Sequence, residues 1–148
     1  GPECERIAAE ARRLGVADRV LLPGFLADPA RYIGAFDIFA LSSDSEQFPI
    51  SLIEAMAAGL PAVATTVGDI ADMVAGDNQP LIVAPADEAA FTAALDSLAQ
   101  RPDLRRAIGR ANREKAASDY EENRMIACYA ALYGDAVGDK WALRPRAA

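Results

Sequence analysis

The chain has 148 residues, enough for one domain with a packed core. It is 52% hydrophobic and 25% charged, the balance of an ordinary globular protein, and aromatic residues make up only 7%. A formal net charge of −7 argues against a duplex nucleic-acid binder working through a basic face and gives no reason to expect direct adhesion to anionic membrane.

Histidine is absent, which removes a His-based triad, the usual zinc sites and any His general base from this chain. Two cysteines, Cys4 and Cys128, point to a reducing, cytoplasmic compartment rather than a disulfide scaffold. No apolar run reaches the ~18 residues of a membrane span. Gly1-Pro2-Glu3 lacks an initiating Met and reads as the middle of a longer protein.

In chain order, Glu3–Leu14 is an amphipathic helix with Ile7, Ala8, Ala11 and Leu14 on one face, stopped by Gly15. Val20-Leu21-Leu22 is a short apolar run that predicts a strand buried on both faces. Leu26–Ala35 predicts a short helix with Asp28 as N-cap and Pro29 at its first position. Asp37–Leu41 is the next strand, and Ser42–Pro49 a polar loop. Ile50–Ala58 is a helix, ended by Gly59 with Pro61 just beyond.

Ala62–Thr65 is a strand, Gly68-Asp69 opens a short helix through Val74, Gly76–Pro80 is a turn, and Leu81–Val83 is a strand. Three helices follow. Ala90–Ala99 turns Phe91, Leu95 and Leu98 inward, and Asp103–Ala117 does the same with Leu104 and Ile108. Glu121–Tyr133 places Met125, Cys128, Tyr129 and Leu132 inward, and Gly134 ends it. Asp135–Ala148 is a weak tail. Strands alternating with helices over short loops make an α/β domain with a parallel sheet, whose ligands bind at the carboxyl ends of the strands. The Ser42–Phe48 loop lies at such an end.

That loop leads into a helix start, where free backbone amides and the positive dipole end favour an anion such as phosphate. Two carboxylates, Glu46 in the loop and Glu54 in the helix, have seven residues between them. A carboxylate beside a bound phosphate is suited to sugar hydroxyls, and Glu54 is suited to a ribose diol. From the residues alone a second reading stands beside this one. Ser51-Leu52-Ile53-Glu54 matches a capping box, so Glu54 would close its own helix start, and Glu46 would be a solvated loop acid.

Ser45-Glu46-Gln47-Phe48-Pro49-Ile50-Ser51-Leu52-Ile53-Glu54-Ala55-Met56-Ala57-Ala58-Gly59-Leu60-Pro61 resembles the signature of the retaining glycosyltransferases of family four, or group 1, which have the GT-B fold. Its core is Glu, seven residues, Glu, then Ala-Met-Ala-x-Gly-x-Pro. The flanks agree in order and spacing. Gly1-Pro2-Glu3 is similar to the family's Gly-x-Gly-Pro-Glu turn, and Asp18-Arg19-Val20 through Pro23-Gly24-Phe25 to its Arg-Val-x-x-x-Gly strand. Asp37–Ser43 is similar to Asp-x-x-x-x-Pro-Ser, with Ser42 where Pro is usual, and Gly68-Asp69-Ile70 to Gly-Gly-x-x-Glu, with Asp69 for the second Gly. The resemblance covers about residues 1–134, leaving 135–148 as a tail.

The resemblance implies a Rossmann-like parallel sheet with flanking helices that lacks its first two strands, and a partial nucleotide-sugar-binding domain. Glu46, as the catalytic residue, and the backbone at Gln47, Phe48 and Pro49 would approach the donor sugar. The amides of Ile50, Ser51 and Leu52 would reach the diphosphate, Glu54 would hold the ribose, and the base would pack near Gly24 and Phe25. Gln47 replaces the commoner Gly, and a positive φ there would strain it. The implied donor is a UDP-, GDP- or ADP-sugar, with no metal or other cofactor.

The implied acceptor, a glycan or lipid-linked sugar, would be bound by a domain that precedes this one and is absent from the chain, as are the family's diphosphate-clamping Arg and Lys. The piece alone would then be inactive, and its enzyme cytoplasmic or peripheral at the inner face of the membrane. Unpaired sheet edges would be completed by further residues, by self-association, or by Val20–Leu22 packing against the Asp37–Leu41 strand. A non-catalytic α/β assembly or regulatory module, and a GT-B-type sugar-nucleotide epimerase, are the alternatives.

Overall fold

A computed structural model describes residues 3–137. The described residues form two compact units, one up to Tyr32 and one from Ile33 onward.

The first unit is built on α1 (Cys4–Arg13). Gly15, at φ 70, ends this helix in a Schellman motif, with the Val16 amide donating to the Ala11 carbonyl and the Gly15 amide to Arg12. Ala11 is buried, but Ile7 and Leu14 of the same stripe remain exposed. Val20 has the extended backbone of a strand residue, φ −109 and ψ 112. The expected Val20–Leu22 strand nevertheless does not form. A strand is held by its ladder, and the sheet of the described residues contains three other segments and not this one. Leu21 is accordingly 85% exposed rather than buried on both faces. The helix expected over Leu26–Ala35 shrinks to the single turn α2 (Ala30–Ile33), because Asp28 takes a left-handed φ of 57 and so cannot be its N-cap.

The second unit carries a three-stranded parallel sheet in the order β1-β2-β3, from Phe39–Leu41, Ala62–Thr65 and Ile82–Val83. Among the described residues Val20–Leu22 forms no strand and is no part of this sheet. Between and after the strands come α3 (Ile50–Ala57), α4 (Ile70–Met73), α5 (Glu88–Gln100), α6 (Pro102–Asp119) and α7 (Glu122–Val137).

The alternation of side chains along β2 divides the core. Ala62 and Ala64 face Leu52 and Met56 of α3, Ile70 and Met73 of α4, and Ala116 of α6. Val63 points the other way, into Leu81, Ala94, Leu98 and Ile108, with Phe91, Leu95 and Leu104 at the margin. The two alanines matter because a small residue lets a helix lie close over the strand.

α3 ends as its sequence requires. Gly59 adopts φ 80, its amide donates to Met56, and the Leu60 amide donates to Ala55. This second Schellman motif is stapled by packing of Leu60 on Ala55. α6 crosses this point so closely that a Cβ on Gly109 would lie 2.0 Å from the Gly59 carbonyl oxygen. Beside the crossing two buried amides lock the layers. The Asn78 side chain accepts from the Ala62 amide at 2.8 Å and donates to the Ala62 carbonyl at 2.7 Å. Asn112 of α6 donates to the Leu60 carbonyl at 2.9 Å and to Asn78 at 2.8 Å, and accepts from the Ala75 amide at 3.0 Å. Arg105 caps the far end of α5 by donating to the carbonyls of Leu98 and Ala99.

α7 departs from expectation in two ways. Gly134 does not end it, because the helix continues to Val137 and a mid-helix Gly costs only about 1 kcal/mol. Its apolar residues are not inward either. Met125, Tyr129 and Leu132 are exposed, as is Cys128, because their stripe meets no core within the described residues. Tyr129 and Tyr133 stack on each other instead, with centroids 6.4 Å apart. Gly1, Pro2 and the tail from 138 lie outside the described residues.

The close crossing gives a direct test. Gly109→Ala is expected to lower stability by about 2 kcal/mol, since neither backbone at the contact can yield as a side chain would. Urea unfolding of the wild type and variant measures it, and an unchanged midpoint contradicts the described contact.

Candidate functional site

All three strands run the same way, so the segments leaving Leu41, Thr65 and Val83 emerge at one edge of the sheet. The loop from Ser42 to Pro49 has no regular structure and is held from below by the segment that follows β2. The buried Thr65 donates its hydroxyl to the Ser43 carbonyl at 2.5 Å. The Asp69 amide donates to the Gln47 carbonyl at 2.9 Å. Gly68, at φ 56, touches the loop backbone itself. A Cβ there would lie 2.5 Å from the carbonyl oxygens of both Glu46 and Gln47.

These contacts fix Glu46. Its carboxylate accepts from the Ser43 hydroxyl at 2.8 Å and is half-buried. Gln47 is exposed, and its φ is not positive, so the Gln found where Gly is commoner sits there without left-handed strain. Phe48 leans edge-on against Tyr120 at the end of α6, with centroids 5.8 Å apart and ring planes at 76°. Tyr120 donates its hydroxyl to the Met73 carbonyl at 3.1 Å. Burial pushes its phenol up from the ordinary range, which keeps it a donor across neutral pH.

Pro49 is buried and is the N-cap of α3, in extended conformation at φ −70 and ψ 113. Proline has no side-chain acceptor to offer, and α3 has no side-chain cap. The amides of Ile50 and Ser51 have no acceptor among the described residues. The Leu52 amide donates to the Pro49 carbonyl at 3.1 Å, and its side chain is fully buried in the core.

The N-cap position also decides between the two readings of Glu54. A capping box needs its acid three residues after the cap, and with Pro49 as cap that place is Leu52. Glu54 stands two positions further on, half-buried, and has no hydrogen-bond or ion-pair partner among the described residues. Two carboxyl groups, one braced and one unpartnered, thus stand on either side of a bare helix start.

Gly24 and Phe25 belong to the first unit. Gly24 takes φ 75, and Phe25 is 94% exposed. Residues 1–101 match the family model of the group 1 glycosyl transferases, more than half of the chain. This chain belongs to the group 1 glycosyltransferases. It is 36% identical over 148 aligned residues to a D-inositol 3-phosphate glycosyltransferase of Segniliparus rotundus, an alignment covering 95% of this chain and 32% of that protein.

Among solved structures, a sucrose-phosphate synthase from Thermosynechococcus elongatus superposes with a TM-score of 0.84 at 27% identity, over 93% of this chain and 35% of that one. HepE of Anabaena, solved in complex with UDP, shares the fold with a TM-score of 0.83 at 21% identity, over 89% of this chain and 36% of its own. The fold is thus the Rossmann-like one of GT-B glycosyltransferases, and the chain spans about a third of the length of the curated relatives it matches. No helix of the described residues is long and apolar enough to cross a membrane.

Sequence reasoning found both carboxylates and the helix start. It missed the braces of the loop. Thr65-Thr66-Val67-Gly68 reads as strand end and turn, and only the fold reveals that this Gly is pressed against the peptide between Glu46 and Gln47. Gly68→Ala is expected to cost about 1–3 kcal/mol and to loosen the β1–α3 loop selectively. Hydrogen exchange should speed up at residues 43–48 while the amides of Leu52–Met56 stay protected. Equal exchange in both segments contradicts the cradle.

Proposed function

We propose that this domain holds the nucleotide-sugar donor of a retaining sugar transfer. The observation that carries the proposal is the bare helix start at Pro49-Ile50-Ser51, set between Glu46 and Glu54 at the carboxyl edge of a parallel sheet. The diphosphate sits at the amides of Ile50 and Ser51, with Leu52 next in line, where the backbone supplies donors and the dipole a positive end. Glu54, unpartnered and a turn and a half into the helix, accepts two hydrogen bonds from the ribose diol. Glu46 and the backbone of Gln47, Phe48 and Pro49 face the sugar. Gly24 and Phe25 are the residues that the family resemblance assigns to the base.

The nucleotide is that of a UDP-, GDP- or ADP-sugar, and the UDP complex of the Anabaena neighbour supports the first. The transferred group is a hexosyl-type sugar, and the reaction requires no bound metal. Its acceptor, a glycan or lipid-linked sugar, is bound elsewhere in the full-length enzyme, which acts in the cytoplasm or at the inner face of the membrane. Retention of configuration follows from the resemblance of the Glu46–Pro61 segment to the retaining family.

The test is titration of the full-length protein with UDP, GDP, ADP and the corresponding UDP-glucose, GDP-mannose and ADP-glucose. One nucleotide class is expected to bind. Glu54→Gln should weaken the free diphosphate about tenfold, roughly the value of one hydrogen bond to a charged acceptor. Glu46→Gln should leave the free diphosphate within about twofold and lower transfer by about a hundredfold or more. Binding of none of the six ligands would favour a non-catalytic assembly module. The 148-residue chain by itself is expected to transfer no sugar, and measurable turnover by it contradicts the division of labour.

A further inference from the structure

We infer that Thr65 and Ser43 form a positioning relay for Glu46, which leaves one carboxylate oxygen occupied and reserves the other for a hydroxyl of the donor sugar. The inference rests on the proposed donor site and adds to it two residues that touch no substrate.

The relay starts in the most rigid part of the domain. Thr65 is the last residue of β2, the central strand, and is almost fully buried. Its hydroxyl has a backbone acceptor, the Ser43 carbonyl at 2.5 Å. That bond crosses from β2 to the segment leaving β1 and sets the peptide at Ser43 two residues past the strand. The Ser43 hydroxyl, half-buried on this fixed peptide, then donates to Glu46 Oε1 at 2.8 Å. A hydroxyl carries one proton, so this bond commits Ser43 as donor and Oε1 as acceptor. The same loop is held from its other side by Gly68 and by the Asp69 amide on the Gln47 carbonyl. An irregular loop is thus fixed at Ser43, Glu46 and Gln47, and the carboxylate has one direction left to face. Glu54 has no such brace, so the relay belongs to the sugar side of the site and not to the nucleoside side.

Such a brace acts by lowering the freedom of a side chain before the ligand arrives. Its loss should therefore appear in recognition of the sugar and not in affinity for the nucleotide. The measured quantity is the affinity of the full-length protein for UDP-glucose, GDP-mannose or ADP-glucose divided by its affinity for the matching free diphosphate. Ser43→Ala is expected to reduce that ratio about tenfold while the free diphosphate binds as before, and Ser43→Thr, which keeps the hydroxyl, should recover most of it. Thr65→Val should reduce the ratio in the same direction, and Thr65→Ser should restore it. In a Glu46→Ala background, Ser43→Ala should have no further effect, because the residue acts only through that carboxylate.

The outcomes separate the two ideas. If Glu46→Ala leaves the ratio unchanged, or if no probe binds the wild type, the donor-site reading fails and the relay with it. If Glu46→Ala lowers the ratio but Ser43→Ala does not, or if the two losses multiply, the relay alone is wrong. A Ser43→Ala protein that loses sugar and free diphosphate alike, with a lowered melting temperature, also overturns it, because that is the signature of a purely structural residue.

Discussion

A helix lies against a neighbouring backbone carbonyl this closely only where its own residue at the crossing carries no Cβ. In this domain that place is Gly109 of α6 over the carbonyl of Gly59, at the end of α3. Everything about the orientation of α3 depends on it. The glycine at 59 is needed for its positive φ in the helix-ending motif, whereas the space at the crossing is demanded of Gly109. Asn112, one helical turn beyond Gly109, then converts proximity into register. It is bonded to Leu60, Ala75 and Asn78, and Asn78 in turn grips both backbone groups of Ala62 at the start of β2. A buried amide left without one of these partners costs about 1–3 kcal/mol, so the alternatives to this arrangement are steeply disfavoured. No buried polar side-chain atom of the described residues lacks a partner.

The order of parts follows from that clamp. From Leu52 onward α3 is tied to the core, and at its carboxyl end to α6, whereas its first two residues, Ile50 and Ser51, are exposed and uncapped. The bare end is tolerable because it is at the sheet edge, where water or a ligand completes the amides. The loop before it has the opposite problem. It is polar, irregular and rich in Ser and Asp, and left to itself it would sample many shapes. The segment after β2 removes that freedom through Thr65, Gly68 and the Asp69 amide. A flexible sequence is thereby made into a fixed surface by a neighbour that is 20 or so residues away in the chain and belongs to the adjacent strand.

Much of this can be read from the residues. The helix ends at Gly15 and Gly59 are signalled locally, and the strand Ala62–Thr65 is apolar and flanked by Pro and Gly. What escapes is whatever depends on a partner. Val20–Leu22 and the apolar stripe of α7 have the composition of buried segments, yet burial is a property of pairs, and neither finds its pair among the described residues. The capping box at Ser51–Glu54 is a true local match, but Pro49 starts the helix two residues earlier than the box requires. Asn78, Asn112 and Gly68 look unremarkable as letters, since their roles are contacts with distant backbone. The two carboxylates were legible because spacing along one loop and one helix is local information.

α3 has eight residues and is therefore about 12 Å long. Its far end is bolted by Gly59 and its near end adjoins a loop pressed down by Gly68. A rod mounted at both ends has no slack. One residue added inside it would advance the near end by about 1.5 Å and turn it through about 100°, carrying Glu54 off its face while Glu46 stayed on its hydrogen-bonded loop. The seven residues between the two acids thus act as a gauge block, a length and an angle machined together, so that the distance in sequence is itself a dimension of the proposed donor site.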